Sequence, residues 1–231
     1  MELSKRLKFI ANHIEKCKSI ADIGTDHGYI PIYAVKNNLC ESAIASDINK
    51  DPVRKSKLNI SLEGLSERIE TRLGGGLEPI KTKEVDGIII AGMGGNLIRD
   101  ILEEGKNKLP FLKFIILQPA QNPEVLREYL YNNGYKILEE DLCFDDGIYY
   151  ELFKVVKNNE EHTKVDNIFY EFSPILLKKK HTLMLPYLES KEEKYKKILG
   201  FIKDDSESAK KRKEEIKEKL NFIESLKKEL R

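Results

Sequence analysis

Five short apolar runs, separated by segments of helix length, constrain the fold of this chain more than any single motif does. The runs are SIADIG (19–24), ESAIASDI (41–48), RIETRLG (68–74), VDGIIIAG (85–92) and LKFIILQP (112–119). Among them stand YIPIYAVKNN, NKDPVRKSKLNISLEGL, GNLIRDILEEGKNK and NPEVLREYLYNNG, several closed by Gly or Asn. Strand and helix alternating in this way predict a parallel, doubly wound sheet. The pattern then changes: GYKILEEDLCF passes through Asp145-Asp146-Gly147 directly into IYYELFKVV. Two β-rich runs joined by an Asp-Gly turn predict a hairpin, hence antiparallel strands. A dinucleotide-binding sheet would instead reach its sixth strand through another helix and keep it parallel.

Two further regions flank this core. Leu3, Leu7, Ile10 and Ile14 recur at helical spacing, so residues 3–15 read as an amphipathic helix with Lys5, Arg6 and Lys8 facing outward. KNNEEHTKVDN, after Val156, reads as a linker. Two long helices are expected beyond it, Leu183 to Ile202 and Ser206 to Leu230, with Asp205 or Ser206 as the cap between them. Ala209, Ile216, Ile223 and Leu230 repeat every seven residues, the seam of an antiparallel coiled coil. The expected division is therefore an α/β domain, residues 1–156, and a helical domain, residues 157–231.

Composition narrows the class. Charged residues make up 34% of the 231 and hydrophobic ones 40%, with no run near the ~18 apolar residues of a membrane helix. The first residues show no apolar block of signal-peptide length, and the three cysteines are far apart with no CxxC pair. A reduced, cytoplasmic protein without a metal site is expected, and a monomer is favoured. From Lys157 onward there are 19 Lys+Arg against 15 Asp+Glu; the totals of 40 and 39 leave 21 against 24 upstream. The tail is basic, as either a solvated helical face or a nucleic-acid footprint would be.

The turn after the first strand, DIGTDHG, carries the chemistry. Gly24 and Gly28 let a ligand approach the backbone, as in a phosphate-binding turn, yet Asp22 and Asp26 would repel phosphate. S-adenosylmethionine (SAM) has no phosphate and carries an ammonium and a sulfonium, so acids suit it; Asp22 is placed to hold the ammonium. Asp47, 23 residues after Gly24 at the end of the second run, is placed for the ribose hydroxyls. All three acids also fit ordinary loop and cap positions.

The combination of LSKRLKFIANHI, ADIGTDHGYIP, RLGGGLEPI, IIIAGMGGNLI, IILQPAQNPEVLREYL and DDGIYYEL resembles the bacterial tRNA adenine-22 N1-methyltransferase family. The match is close over residues 3–156 and holds in type for the helical tail. It implies a Rossmann-like class I methyltransferase sheet of seven strands, the last antiparallel. It further implies a SAM-dependent enzyme that methylates N1 of an adenine in the tRNA D-arm region. Asp22, Gly24, His27, Gly28, Asp47, Ile48, Gly75, Gly76, Gly92, Met93 and Gly94 are the implied cofactor contacts. One departure stands out: the family usually reads R-x-G-D-G-L where this chain has RLGGGL, so Gly75 replaces an acid that can reach the adenine amino group.

Methyl transfer to a ring nitrogen needs positioning and charge placement more than a strong base. Asp26 is the first choice for a catalytic carboxylate, accepting from the adenine amino group or stabilising positive charge on the ring. His27 is assigned only to the site wall, and Met93 reads equally as an apolar wall or as core. Gln118, Pro119 and Asn122 are placed to grip the base edge, and Tyr29 either stacks on it or packs inside. N1 lies on the pairing edge, so the base must be unpaired or flipped. Lys5, Arg6, Lys8, Lys178, Lys179, Lys180, Lys210, Lys211, Arg212 and Lys213 are the candidate tRNA surface. Two other readings remain open at this stage: an inactive SAM-binding RNA adaptor, and a methyltransferase for another RNA, a protein or a small molecule.

Overall fold

The computed structural model describes residues 2–158, 165–204 and 206–231. Part of the expected linker and the candidate cap Asp205 lie outside them. The chain divides into two compact units, Met1–Glu171 and Phe172–Arg231. The first continues past the boundary expected after Val156, and the contacts that hold it to Glu171 are given below.

Unit one is built on β1 (Cys17–Ile23), β2 (Cys40–Asp47), β3 (Ile69–Leu73), β4 (Gly87–Gly94), β5 (Phe114–Gln121), β6 (Tyr135–Asp145) and β7 (Ile148–Lys157). They form one sheet in the order β3-β2-β1-β4-β5-β7-β6. The first five are parallel, and β7 lies antiparallel between β5 and β6. The hairpin turns at Asp146 and Gly147, both at positive φ (48° and 77°), the pairing a tight two-residue hairpin requires.

Helices α2 (Tyr29–Lys36), α3 (Lys50–Leu62), α4 (Gly95–Glu104) and α5 (Pro123–Asn132) connect the strands. Because both faces are covered, β1, β4 and β5 are apolar almost throughout. Ile23, Ile88, Ile90, Ile115 and Leu117 join one core cluster, while Ile20, Ile89, Phe114 and Ile116 join the other. That is the period-two alternation of a strand buried on both sides. Gly87 is fixed by this packing: a Cβ there would lie 2.3 Å from the Phe114 ring.

Helix α1 (Lys5–Ala11) is capped by Ser4, whose hydroxyl accepts the Leu7 N–H, and it is shorter than the expected 3–15. Beyond Asn12 the chain tightens into i→i−3 bonds, His13 to Ile10 and Ile14 to Ala11, while Ile10 and Ile14 stay buried. His13 ties this segment to β6. Its Nδ1 bonds the Phe9 carbonyl, and its Nε2 lies 3.2 Å from Asp141 Oδ2. Burial lowers the imidazole pKa, but the Asp141 and Phe9 oxygens outweigh it and raise the group above its ordinary value.

At the far edge of the sheet Arg127 of α5 is fully buried. It pairs with Glu140 of β6 at 2.6 Å and with Glu151 of β7. It also donates to the Tyr170 carbonyl at 2.5 Å, in the short helix α6 (Ile168–Glu171). That bond, with Asn132 donating to the Tyr170 hydroxyl, is why unit one runs on to Glu171.

Unit two contains α7 (Pro174–Lys178), α8 (Met184–Phe201) and α9 (Glu207–Leu230). Ser206 caps α9 by accepting the Ala209 N–H. Lys227 reaches Glu192 at 2.6 Å and Lys219 lies 5.4 Å over the Tyr195 ring, so α8 and α9 run antiparallel. Ile216 and Ile223 of the seven-residue repeat are fully buried, with Ala209 and Leu230 half-buried. The lysines 178–180 lie outside this helix pair, at and just past the end of α7. Among the described residues no helix is long and apolar enough to cross a membrane.

Candidate functional site

The strand order reverses between β1 and β4, and open parallel sheets place ligands outside the carboxyl ends of the strands at that point. Two clefts meet there. The first, about 310 Å³, is walled by Arg6, Asp22, Gly24, Asp26, His27, Tyr29 and Gly92. The second, about 550 Å³, is walled by Asp47, Ile48, Gly75, Gly76, Met93 and Leu97, with Ile101 and Lys108 at its far side. Gly24 lines both, at φ +77°, and a Cβ on it would fall 2.0 Å from Met93 Cε. Only glycine fits, and the Met93 side chain lies where the two clefts join.

The DIGTDHG turn commits three of its N–H groups to the protein itself. The N–H groups of Gly24 and Thr25 both donate to the Ser46 carbonyl (2.8 and 2.9 Å), and the Gly28 N–H donates to the Thr25 hydroxyl. Asp22 is 5% exposed, and no cation pairs with it among the described residues. Burial pushes its carboxyl up to about 6 and the Asp47 charge adds to this, while the Thr25 hydroxyl works in the opposite direction. The site thus holds a desolvated acid without a counter-ion.

Asp47 ends β2; its Oδ1 accepts the Asn49 N–H at 2.7 Å, and Oδ2 has no partner among the described residues. Beside it Ile48 and Leu97 are 68% and 52% exposed, an apolar lining for a flat ring. Asp26 stands at the rim, with His27 Nε2 at 2.9 Å and Lys55 Nζ at 3.5 Å. His27 stacks on Tyr29 with ring centroids 5.0 Å apart, so Tyr29 is a half-buried wall rather than core. At the end of β4 the pairing with β5 shifts register between Ala91 and Met93, and Gly92 sits at φ +78°. Such a bulge re-aims the strand end toward the cleft.

Several expected site residues are placed elsewhere. Gln118 is fully buried and both ends of its amide are used: Oε1 accepts from Arg6 Nη1 at 2.6 Å and Nε2 donates to the Pro119 carbonyl. Pro119 is buried, and Asn122 is exposed at φ +53° with its carbonyl against Gly95. None of the three lines either cleft. Gly28 backs onto Ser56 and Ile60, and Gly94 caps α4; these two also lie outside both clefts. Arg6 does not face outward: its guanidinium turns in to Gln118 and joins the cleft wall.

Lys5, Lys8 and Lys178–Lys180 are exposed. Lys210 pairs with Glu207 and Arg212 with Glu215 one turn away, while Lys211 is exposed and Lys213 half-buried. Thr25, Leu97, Ile101 and Lys108 escaped the sequence reading. Leu97 and Ile101 fall at i and i+4 on one face of α4, which is the available signal, while Lys108 lies beyond the end of that helix.

Comparison with known proteins agrees with this geometry. The family described as "TrmK: tRNA (adenine(22)-N(1))-methyltransferase" matches residues 20–225. The tRNA (adenine(22)-N(1))-methyltransferase of Bacillus subtilis is 40% identical over 189 residues, 80% of this chain and 79% of that protein. Streptococcus pneumoniae Sp1610, a putative tRNA (m1A22) methyltransferase solved in complex with S-adenosyl-L-methionine, superposes with a TM-score of 0.87 at 30% identity. The match covers 98% of this chain and 100% of that one. M. capricolum TrmK, in complex with S-adenosyl-homocysteine, gives a TM-score of 0.84 at 32% identity over 100% of both chains.

Proposed function

The chain belongs to the tRNA (adenine(22)-N(1))-methyltransferase family, and from that premise we propose that it methylates N1 of adenine 22 in tRNA, using SAM. The observation that carries this is Asp22: a buried acid with no counter-ion among the described residues, at a turn whose Gly24, Thr25 and Gly28 N–H groups are already used. A phosphate-free cofactor with an ammonium satisfies both features at once.

In this reading Asp22 holds the ammonium beside Gly24, and Asp47 accepts the ribose hydroxyls through its unpaired oxygen. Ile48, Leu97 and Ile101 enclose the adenine, with Gly75 and Gly76 against its edge. Bound SAM supplies the methyl: the adenine N1 lone pair forms the new N–C bond as the C–S bond breaks, and the sulfur keeps that electron pair. The ring gains a positive charge, and Asp26 at the rim opposes it electrostatically or accepts from the exocyclic amino group. Asp26 also stays within reach of His27, which holds one of its oxygens, while Gly92 leaves room for a flat base at the end of β4. tRNA is the partner and the cytoplasm the compartment of this reading.

The test uses methyl-labelled SAM, tRNA transcripts carrying adenine or guanine at position 22, and nucleoside mass spectrometry. N1-methyladenosine is expected from the first transcript alone. Label passing to protein, or to both transcripts alike, sinks the proposal. Asp26→Ala should slow single-turnover transfer by about a hundredfold while leaving SAM affinity within about twofold; an unchanged rate reduces Asp26 to a structural role.

We assign catalysis to unit one and much of the tRNA backbone contact to the basic second unit. Truncation after Glu171 should give a folded, SAM-binding protein that methylates tRNA poorly. Calorimetry with SAM and a tRNA titration check this; full tRNA affinity in the truncated protein removes the assignment.

A further inference from the structure

Arg6 brings a guanidinium to the first cleft, and neither the cofactor contacts nor the methyl transfer uses its charge. Its position is fixed from three directions. Its backbone N–H donates to Asp145 Oδ2 at 2.9 Å, Nη1 donates to Gln118 Oε1 at 2.6 Å, and its guanidinium carbon lies 5.6 Å from the centroid of the Tyr150 ring. A Cβ built on Gly92 would lie 3.4 Å from Nη1 and 3.9 Å from Nη2, which sets the guanidinium against the end of β4. Nε and Nη2 make no hydrogen bond to protein among the described residues, and neither Asp22 nor Asp26 of the same cleft pairs with it.

A guanidinium stays charged at any accessible pH and offers five donors. Held half-buried with most of those donors unused, it is prepared for an oxyanion that presents two oxygens to two parallel N–H bonds. Two such anions belong to the proposed reaction, the SAM carboxylate and the RNA phosphodiester. Arg6 shares the first cleft with Asp22, but the two are anchored at different strands. Asp22 and Asp47, the cofactor acids, end β1 and β2, whereas Arg6 is pinned to β5 through Gln118 and to β7 through Tyr150, across β4 from the cofactor strands. Charge argues the same way. A cation against the base itself would oppose the positive charge that methylation creates, while a cation on its phosphate does not.

We infer that Arg6 is a phosphate clamp for the flipped nucleotide, holding the phosphodiester next to the target adenine at the mouth of the catalytic cleft. The inference rests on the tRNA reading and adds to it: Arg6 positions the substrate at the cleft itself, whereas Lys5, Lys8 and the helical unit would act on backbone further away. Gln118, buried behind it, orients the fork.

The experiment measures tRNA affinity over a potassium chloride series at saturating S-adenosylhomocysteine, for the full-length protein, Arg6→Gln and Arg6→Lys. SAM affinity is measured alongside. Arg6→Gln should bind tRNA about tenfold more weakly at low salt, and its log–log salt slope should shrink by ~0.7–0.9, the value of one phosphate contact. SAM affinity should stay within twofold. Arg6→Lys keeps the charge without the fork, so it should retain the slope and lose only part of the affinity. An Arg6→Gln protein that loses SAM affinity instead, with its tRNA slope unchanged, assigns the cation to the cofactor carboxylate and overturns the inference. If Arg6→Gln does not fold, an Arg6→Lys protein with wild-type tRNA affinity and turnover overturns it equally. A wild-type protein that binds no tRNA defeats the underlying reading; wild-type binding matched by Arg6→Gln defeats the clamp alone.

Discussion

Two regions of unit one bury carboxylates, and they treat them in opposite ways. Under the hairpin, Glu140 and Glu151 are withdrawn from water together with Arg127, which itself packs 4.8 Å from the Phe153 ring centroid. At the end of β1, Asp22 is withdrawn equally far with only a hydroxyl for company. Removing a charge from water costs several kcal/mol, and only pairing and hydrogen bonding return it. The first group recovers that cost within the chain; the second leaves it standing. A buried charge neutralised by its own protein holds structure together, whereas one left open is waiting for a ligand. The contrast is sharpest in what removal of each should do.

The largest effect belongs to Arg127. Arg127→Met leaves two acids buried without their cation and should cost roughly 3–5 kcal/mol in urea unfolding. SAM affinity of the folded fraction should not move, because the triad lies at the opposite edge of the sheet from β1 and β2. Combining it with Glu140→Leu and Glu151→Leu should restore most of the loss, since an apolar replacement of the whole triad removes the uncompensated charges. A single variant as stable as wild type would erase the distinction drawn above.

Asp22 comes next and runs the other way. Asp22→Asn should weaken SAM binding by roughly 1.5–3 kcal/mol, about ten- to a hundredfold, yet make the ligand-free protein more stable at neutral pH. The carboxyl is held near 6, above its ordinary 3.8, mainly by burial. The stability it contributes is therefore complete below pH 3.8 and lost as pH rises through 6. The ammonium needs the ionised form, so SAM affinity should rise over the same interval and be about tenfold weaker at pH 5 than at pH 8. Calorimetry across pH checks this, and the slope should be absent in Asp22→Asn. A wild type with flat affinity, or an Asn variant with the wild-type slope, would mean that the ligand charge is met elsewhere.

This asymmetry also explains what the sequence disclosed. The DIGTDHG turn and Asp47 were legible because acids beside glycines have few structural uses, and the hairpin because Asp146 and Gly147 must take positive φ. Strand positions followed from apolar runs buried on both faces. The charge of Arg6 points to exposure, yet the residue stands four positions before the buried Ile10, on the inward stripe of α1. Gln118 reads as a base contact from the sequence, where nothing shows that Arg6 occupies its amide oxygen. The unit boundary depended on a main-chain acceptor, the Tyr170 carbonyl, and carbonyls leave no mark on composition. Local backbone chemistry is written in the sequence; partners brought from far along the chain are not.

The smallest expected effect tests whether the cofactor cleft can be improved in the terms of the same contrast. Gly75 lines the second cleft where relatives in the family pattern carry an acid, and its backbone is not in the left-handed region, so a side chain brings no strain. A Cβ there would lie 3.3 Å from Ile48 Cδ1, the mobile end of a largely exposed side chain that can give way. Gly75→Asp adds an acceptor for the adenine amino group in a place where water still reaches it, unlike Asp22. The gain is that of an ordinary hydrogen bond, about 0.5–1.5 kcal/mol, or roughly two- to tenfold in SAM affinity. Gly75→Ala separates the acceptor from the crowding: it should match wild type or fall slightly below it. Asp47 and the new acid would then face the same nucleoside in a cleft that Glu78 and Glu104 also line, so repulsion opposes the gain and is relieved as SAM donates to each. An Asp variant that binds SAM more weakly than the Ala variant would show that repulsion wins, and that this chain's glycine is the better fit to its own Asp47.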